Sequence, residues 1–315
     1  MSDIEVAKPV IFLVGPTASG KTSLSIQIAK FLETEIISAD SRYFYRKMDI
    51  GTAKPSLKER DGIRHHMIDI ADPSETISVA FFKEETEKII SALHEKQKIP
   101  IVVGGTGQYI HAIIHNWSLP QIEPEPKLRE FLEKYAAEHG KEKLYKYLEK
   151  YDPEAAEIID FRNVRRTIRA IEVIMKTGRR FSNLRKASTS LYDQKIIGIH
   201  WDREELYRRI DQRINEMIAN GFIEEVEKLM KSGYPLNIPA MSAIGYREIM
   251  YYLRGKCVLE EAITLIKRNS RQYVRRQANW FKESDPTIKW FDGRKLDINH
   301  VMKYLTSQEG WDIPY

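Results

Sequence analysis

The chain has 315 residues, 42% hydrophobic and 30% charged, with a net charge of +5 and one cysteine, Cys257. That length suggests roughly one to three domains with cores large enough to fold unaided, and a single cysteine excludes an internal disulfide and a cysteine-built zinc site. No apolar run approaches the roughly 18 residues of a membrane span, and the opening MSDIEVAKP is too short and polar for a secretory leader, so a cytoplasmic enzyme is expected.

Taken in order, the first third alternates between short apolar runs and amphipathic stretches. VIFLV (10–14) reads as a buried strand, and LSIQIAKFL (24–32) has helical spacing. EIIS (35–38) reads as a second strand and RHHMIDI (64–70) as a weaker third. Residues 75–97 form a long amphipathic helix, IPIVVGG (99–105) a further buried strand, and GQYIHAIIHNW (107–117) a helix. Strands alternating with helices predict a parallel sheet covered on both faces. LPQIEPEPK (119–127) then places three prolines in nine positions, which marks a boundary. Beyond it the pattern is helical: 127–139, 142–151, 153–160, and a helix bounded by Asp160 and Gly178. KIIGIHW (195–201) is again strand-like, and helices follow at 203–219, 221–231 and 258–283. The fold class is α/β: a phosphate-loop parallel sheet core, residues 1–120 plus 196–315, interrupted by an all-helical insertion at 121–195.

Between the first strand and its helix lies GPTASGKT, residues Gly15, Pro16, Thr17, Ala18, Ser19, Gly20, Lys21 and Thr22. Gly-x-x-x-x-Gly-Lys-Thr after a strand and before a helix is a phosphate loop. Its backbone N–H groups converge on an anion, its lysine adds a positive charge, and its threonine hydroxyl can bind Mg²⁺. A nucleotide hydrolase also needs an apolar strand ending in aspartate. IPIVVGG ends in glycine, and EIISAD reaches Asp40 only after Ser38 breaks the run. A lone aspartate is usually a cap or turn residue. Asp40, however, opens DSRYFYRKMDIGTAKP (40–55), a long stretch with little periodicity, and such loops are usually functional. GGTG (104–107) sets Thr106 after another core strand. Parallel strands would bring Asp40 and Thr106 to the edge that holds the phosphate loop.

Charge is unevenly spread. Residues 161–195 carry 10 Lys/Arg against 2 Asp/Glu, and residues 267–282 carry 6 against none. One such run is ordinarily a solvated helix face; two with little compensating acid point to a polyanion. Arg162, Arg166 and Arg169 fall at i, i+4 and i+7, as do Arg268, Arg271 and Arg275 at nearly the same spacing, so each set is expected to share a helix face. Tyr273, Trp280 and Phe281 accompany the second set, as core residues more often than as base-stacking platforms.

GPTASGKT, SADSRYFYRKMDIGTAKP, VGGTGQYI, RNVRRTIRAIEVIMKTGRRFS, LYRRIDQRINEMI, AIGYREI and SRQYVRRQANWF together resemble, in order, the signatures of the tRNA isopentenyltransferase (tRNA dimethylallyltransferase) family. The resemblance implies that the loop holds the pyrophosphate of dimethylallyl diphosphate, and not a nucleotide. It implies transfer of the five-carbon group to N6 of the adenine 3′-adjacent to a tRNA anticodon, with Mg²⁺ assisting departure of pyrophosphate. Asp40 would be the general base; Lys21, Thr22 and Arg213 would hold the diphosphate, with Mg²⁺ on Thr22. Thr106 would meet the oxygen nearest the breaking bond. Asp40, Ser41, Arg42 and Tyr43 resemble the strip that receives the flipped adenine. Arg129, Asn163, Arg165, Arg166, Arg169, Tyr246, Arg247, Arg271 and Arg275 fall in segments resembling tRNA-contacting regions. The chain departs from the family at Tyr43, often Gln, and at Gln108, often Leu. Its one cysteine makes it resemble the compact bacterial form without a zinc finger. A monomer on one tRNA anticodon stem-loop is expected. The competing readings are a nucleoside-monophosphate kinase with a helical lid, an adenylate isopentenyltransferase acting on free nucleotides, and a non-catalytic RNA-binding protein.

Overall fold

A computed structural model describes residues 7–119, 122–185, 189–235 and 237–307. Residues 1–6 of the polar start, and Pro120 and Gln121 of the proline-rich boundary, lie outside the described residues.

Six parallel strands form one sheet: β1 (Lys8–Val14), β2 (Ile36–Ser38), β3 (His65–His66), β4 (Ile101–Gly104), β5 (Tyr192–His200) and β6 (Ile288–Asp292). Their order is β3-β2-β4-β1-β5-β6. β1 pairs with β4 through Ile11↔Ile101 to Val14↔Gly104 and with β5 through Lys8↔Tyr192 to Val14↔Gly198. Strands buried on both faces read as unbroken apolar runs, and all five residues of VIFLV are fully buried. Alternate side chains divide between two cores. Val10, Phe12 and Val14 join Phe82 and Ile90 of α3 (Val79–Glu95) and Tyr109, Ile110 and Ile113 of α4 (Gly107–Ile114). Ile11 and Leu13 join Leu24 and Ile28 of α1 (Lys21–Phe31) and Val301 and Leu305 of α13 (Ile298–Thr306).

A third core is helical. α9 (Arg203–Ala219), α10 (Phe222–Lys231), α11 (Tyr246–Leu253) and α12 (Leu259–Ala278) pack on one another and on Tyr45 and Met48. Short α2 (Leu57–Arg60) is capped at both ends of its first turn by Ser56 and Glu59.

Two compact units result, residues 1–114 with 191–315, and residues 115–190. The second contains α5 (Pro126–His139), α6 (Lys141–Tyr151), α7 (Pro153–Ile158) and α8 (Val164–Thr177) around Leu132, Leu144, Leu148, Ile168 and Ile171. β5 starts at Tyr192, before the apolar run that marks it in the sequence, because its first four residues are only half-buried and carry polar side chains. β6 and α13 have no clear sequence signal. In β6 only Ile288 is buried, as suits an edge strand. α12 stops at Ala278, short of residue 283, and Phe281 turns back into the sheet core. Among the described residues no helix is long and apolar enough to cross a membrane.

Candidate active site

Since every strand is parallel, the residues following β1, β2 and β4 gather at one sheet edge. After β1 comes the phosphate loop. Gly15 (φ 145°) and Gly20 (φ 97°) hold left-handed conformations, and a Cβ at Gly15 would lie 2.8 Å from the Ile199 carbonyl oxygen. Gly20 caps α1 without a side-chain bond, so the first N–H groups of the helix stay available to an anion.

The loop is braced from elsewhere in the chain. Trp201, just past β5, donates its indole N–H to Ser19 O at 2.9 Å, and Arg209 of α9 donates to Ala18 O at 2.9 Å. The Arg209 guanidinium stacks 4.2 Å above the Trp201 ring. Arg213, one turn on, donates to Thr17 Oγ1 and to the Ala53 carbonyl, each at 3.3 Å. Lys21 Nζ donates to Pro16 O at 2.6 Å. Burial lowers the Lys21 amine to a pKa of about 7; Asp40 opposes the shift and Arg213 reinforces it. A concentration of positive charge held in low dielectric is poised for a polyphosphate.

Asp40 follows β2. Its Oδ1 accepts the Arg42 N–H at 2.9 Å, which folds DSR into a turn. Ser41 N–H donates to Thr106 Oγ1 at 3.3 Å, linking this strip to the residue after GG in the β4 loop. Arg42 reaches Pro239 O at 2.8 Å. Tyr43 donates to Ala53 O at 2.8 Å; burial, then the nearby Asp40 charge, pushes its phenol up to about 12. Burial and Asp40 do the same to Tyr273 of α12, whose phenol meets Thr106 and is also raised to about 12. Both phenols remain neutral at physiological pH.

Two adjoining cavities share this edge. The first, about 820 Å³, is lined by Thr17 to Thr22, Asp40, Tyr43, Arg209 and Arg213. The second, about 530 Å³, is lined by Asp40, Ser41, Arg42, Arg247, Asn269 and Arg276. Asp40, Arg213 and Tyr273 line both. One carboxylate thus faces an anion cradle on one side and an arginine-rimmed chamber on the other. Among the described residues no group of three or more His, Cys, Asp or Glu is set to hold a metal. Thr22 offers a hard hydroxyl oxygen on the first cavity, suited to a Mg²⁺ ion that keeps most of its shell as phosphate oxygens and water.

The MDIGTAKP loop is held by two charges, the half-buried Glu225 and the buried Lys54. Glu225 of α10 accepts the N–H groups of Asp49, Ile50 and Gly51 at 2.9, 2.7 and 3.1 Å. Lys54, 2% exposed in its side chain, binds Tyr45 O and the carboxylates of Asp49 and Asp69. Tyr246 donates to Glu225 Oε1 at 2.6 Å and is completely buried. Its side chain therefore cannot touch RNA, and the sequence expectation for Tyr246 is corrected to a supporting role. Arg247 lines the second cavity. Arg271 is engaged with Asp211 at 2.5 Å and with the Tyr207 ring; Arg275 is exposed and lowers the Tyr207 phenol, after Arg203, the main cause.

In the inserted unit the arginine stripe is not continuous. Arg162 precedes α8: Asp160 accepts its N–H at 2.8 Å and holds its guanidinium. Asn163 is the N-cap, accepting Arg166 N–H at 3.2 Å. Asp and Asn side chains compete for local backbone groups and start the helix later than the i, i+4, i+7 spacing implies. Arg169 and Arg129 both bind Glu172, whose side chain is 0% exposed. Burial alone would raise the Glu172 pKa, but Arg129, the Glu125 N–H and Arg169 outweigh it and hold it at about 2. Arg165 is exposed and Arg166 half-buried; among the described residues neither guanidinium has an ion pair.

Trp201, Arg209, Glu225, Tyr273 and Gln277 carry no motif of their own that marks them as site residues. Each reaches the site from a helix or strand end distant in sequence. The one available sign is the coincidence of aromatics with arginines in 267–282, which points to Tyr273 but also to Trp280 and Phe281, one packed against the sheet core and the other within it.

A parallel sheet with a phosphate loop, a facing carboxylate and a second chamber rimmed by arginine defines the class: a phosphate-loop α/β protein built to hold a polyphosphate against a second substrate. The family model described as IPP transferase matches residues 43–284, and the chain belongs to that family. It is 43% identical to a tRNA dimethylallyltransferase of Carboxydothermus hydrogenoformans, over 97% of this chain and 98% of that one. Its identity to the Bacillus mycoides protein of the same name is 45%, over 97% and 96%. It superposes on the full-length tRNA isopentenylpyrophosphate transferase of Bacillus halodurans with a TM-score of 0.71 at 41% identity, covering 96% of both chains. A eukaryotic dimethylallyltransferase solved while acting on tRNA gives 0.80 at 28% identity, covering 98% of this chain and 82% of that one.

Proposed function

We propose that the protein transfers the dimethylallyl group of dimethylallyl diphosphate to N6 of the adenine 3′-adjacent to a tRNA anticodon, releasing pyrophosphate. The observation that carries this reading is the shared position of Asp40, on both the anion cradle and the arginine-rimmed chamber. The adenine N6 lone pair forms a bond to the allylic carbon while the carbon–oxygen bond breaks and its electron pair leaves on the diphosphate. The N6 proton passes to Asp40. Lys21, Arg213 and the N–H groups at the start of α1 take up the charge that builds on the leaving oxygens. Bound at Thr22 and the diphosphate, Mg²⁺ would neutralise part of the same charge. Thr106 donates to the oxygen nearest the breaking bond and, through Ser41, keeps its distance to the Asp40 strip.

Anticodon-loop adenines are stacked, so the acceptor must swing out to reach Asp40; Ser41, Arg42 and Arg247 on the second chamber are its receivers. Arg165 and Arg166 on the inserted unit, with Arg275 of α12, supply phosphate contacts. One chain suffices for one tRNA.

The test is an acceptor comparison. Protein, dimethylallyl diphosphate and Mg²⁺ are mixed with unmodified tRNA, AMP or ATP, and the products weighed by mass spectrometry. Only the tRNA should gain one dimethylallyl group, on that adenine. Prenylated AMP or ATP with unchanged tRNA would overturn the assignment.

A further inference from the structure

Gln277, near the end of α12, ties together two loops that leave different strands. Its Oε1 accepts the Thr17 N–H of the phosphate loop at 3.0 Å, and its Nε2 donates to Gly105 O in the β4 loop at 3.0 Å. The side chain is 4% exposed. A backbone N–H can only donate and a carbonyl can only accept, so the amide has one possible orientation. Its fit leaves no slack: a Cβ at Gly105 would fall 2.1 Å from Nε2 and 3.2 Å from the Gly15 carbonyl oxygen.

We propose that Gln277 is a positioning residue for the transfer reaction, setting the separation between the diphosphate cradle and the wall that carries Thr106 and Asp40. This inference rests on the reading of the loop as a diphosphate site. In a displacement the leaving oxygen and the entering nitrogen lie on opposite sides of one carbon. The cradle fixes the first, and the Asp40–Thr106 wall fixes the second. Misplacement of about 1 Å costs on the order of 10²-fold in rate, and Gln277 is the side chain that spans the two loops. Both of its amide bonds go to backbone groups of the two loops, so it acts through Thr17 and Gly105.

Glutamine accepts and donates at once in this slot at neutral pH. In Q277E an ionised carboxylate still accepts from Thr17 but repels the Gly105 carbonyl. Once protonated, it donates to Gly105 and accepts from Thr17, which restores both bonds. Burial beside a carbonyl raises the pKa of the introduced carboxyl. The experiment measures kcat of wild type and Q277E, with saturating dimethylallyl diphosphate and tRNA, from mildly alkaline to mildly acidic buffer. The ratio of Q277E to wild type should climb by about 10-fold or more as pH falls, consistent with geometry recovered on protonation. Q277L, close in shape but unable to bond, should lose about 10- to 100-fold in kcat at every pH while KM for tRNA moves little. A flat or inverted Q277E ratio, or a folded Q277L with wild-type kcat and only a lowered melting temperature, would overturn the inference. Wild-type protein that transfers nothing would remove the reaction and the inference together; active wild type with a flat ratio removes the inference alone.

Discussion

The Lys21 ammonium donates to the Pro16 carbonyl at 2.6 Å, closing the phosphate loop upon itself. Its enclosure brings the amine pKa to about 7, from an ordinary 10.5. Below pH 7 Lys21 is charged; as pH rises through 7 it becomes neutral and offers less to an anion. A diphosphate beside it favours the ammonium and raises the pKa again. Pyrophosphate affinity should therefore weaken by up to about tenfold per pH unit above 7, and binding there should take up a proton. Titration calorimetry in buffers of different ionisation enthalpy reads both. In Lys21→Ala the share of the pH dependence and proton uptake that Lys21 contributes should be lost, leaving that of pyrophosphate itself, and affinity should fall by about 10- to 100-fold, the worth of a charged hydrogen bond.

Asp40→Asn keeps the shape of the strip, since an amide oxygen still accepts the Arg42 N–H seen at 2.9 Å. It removes basicity. Turnover should fall by about 10²- to 10⁴-fold, with tRNA affinity unchanged in a filter-binding assay. Near-normal turnover would leave Asp40 as a turn residue only.

Glu172 is fully buried between Arg129 and Arg169. Glu172→Gln should destabilise the inserted unit by about 2–3 kcal/mol, less than a fully buried pair because both arginines reach solvent. With its folded pKa lowered to about 2, the carboxylate contributes full stability above its unfolded pKa. That contribution is lost as pH falls from about 4.5 towards 2. Thermal melts of wild type across that window should show the loss, and Glu172→Gln melts should lack it.

The stripe arginines separate by partner. Arg165→Ala and Arg166→Ala should each flatten the salt dependence of tRNA binding by about one unit, less on single-stranded stretches, and leave the melting temperature alone. Arg169→Ala should do the reverse, because its charge is spent on Glu172 at 2.5 Å. A salt series beside a melting curve distinguishes the two patterns.

Much of the site is legible in the chain because phosphate loops and strand-end acids obey local rules. Gly15, Gly20 and Lys21 must stand where they do for the backbone to turn and the amine to fold back. Asp40 and Thr106 follow short apolar runs that their alternation with helices marks as parallel strands. What is not legible depends on long-range packing. Gln277 meets Gly105 across 172 residues and Glu225 meets Gly51 across 174, and no local pattern encodes such pairs. Tyr246 and Arg162 show the opposite failure. A motif residue and a well-spaced arginine are diverted, one into the core and the other onto Asp160, by neighbours whose claim on them is stronger than that of solvent.

In the proposed reaction a loop with the pattern of a nucleotide site serves an allylic diphosphate. The most direct measurement supplies tRNA together with dimethylallyl diphosphate and γ-labelled ATP, then follows pyrophosphate, prenylated adenine and inorganic phosphate in one reaction. The proposed reaction predicts one pyrophosphate for each prenylated adenine and no phosphate from ATP. Sustained ATP hydrolysis stimulated by tRNA, without prenylated product, would contradict it.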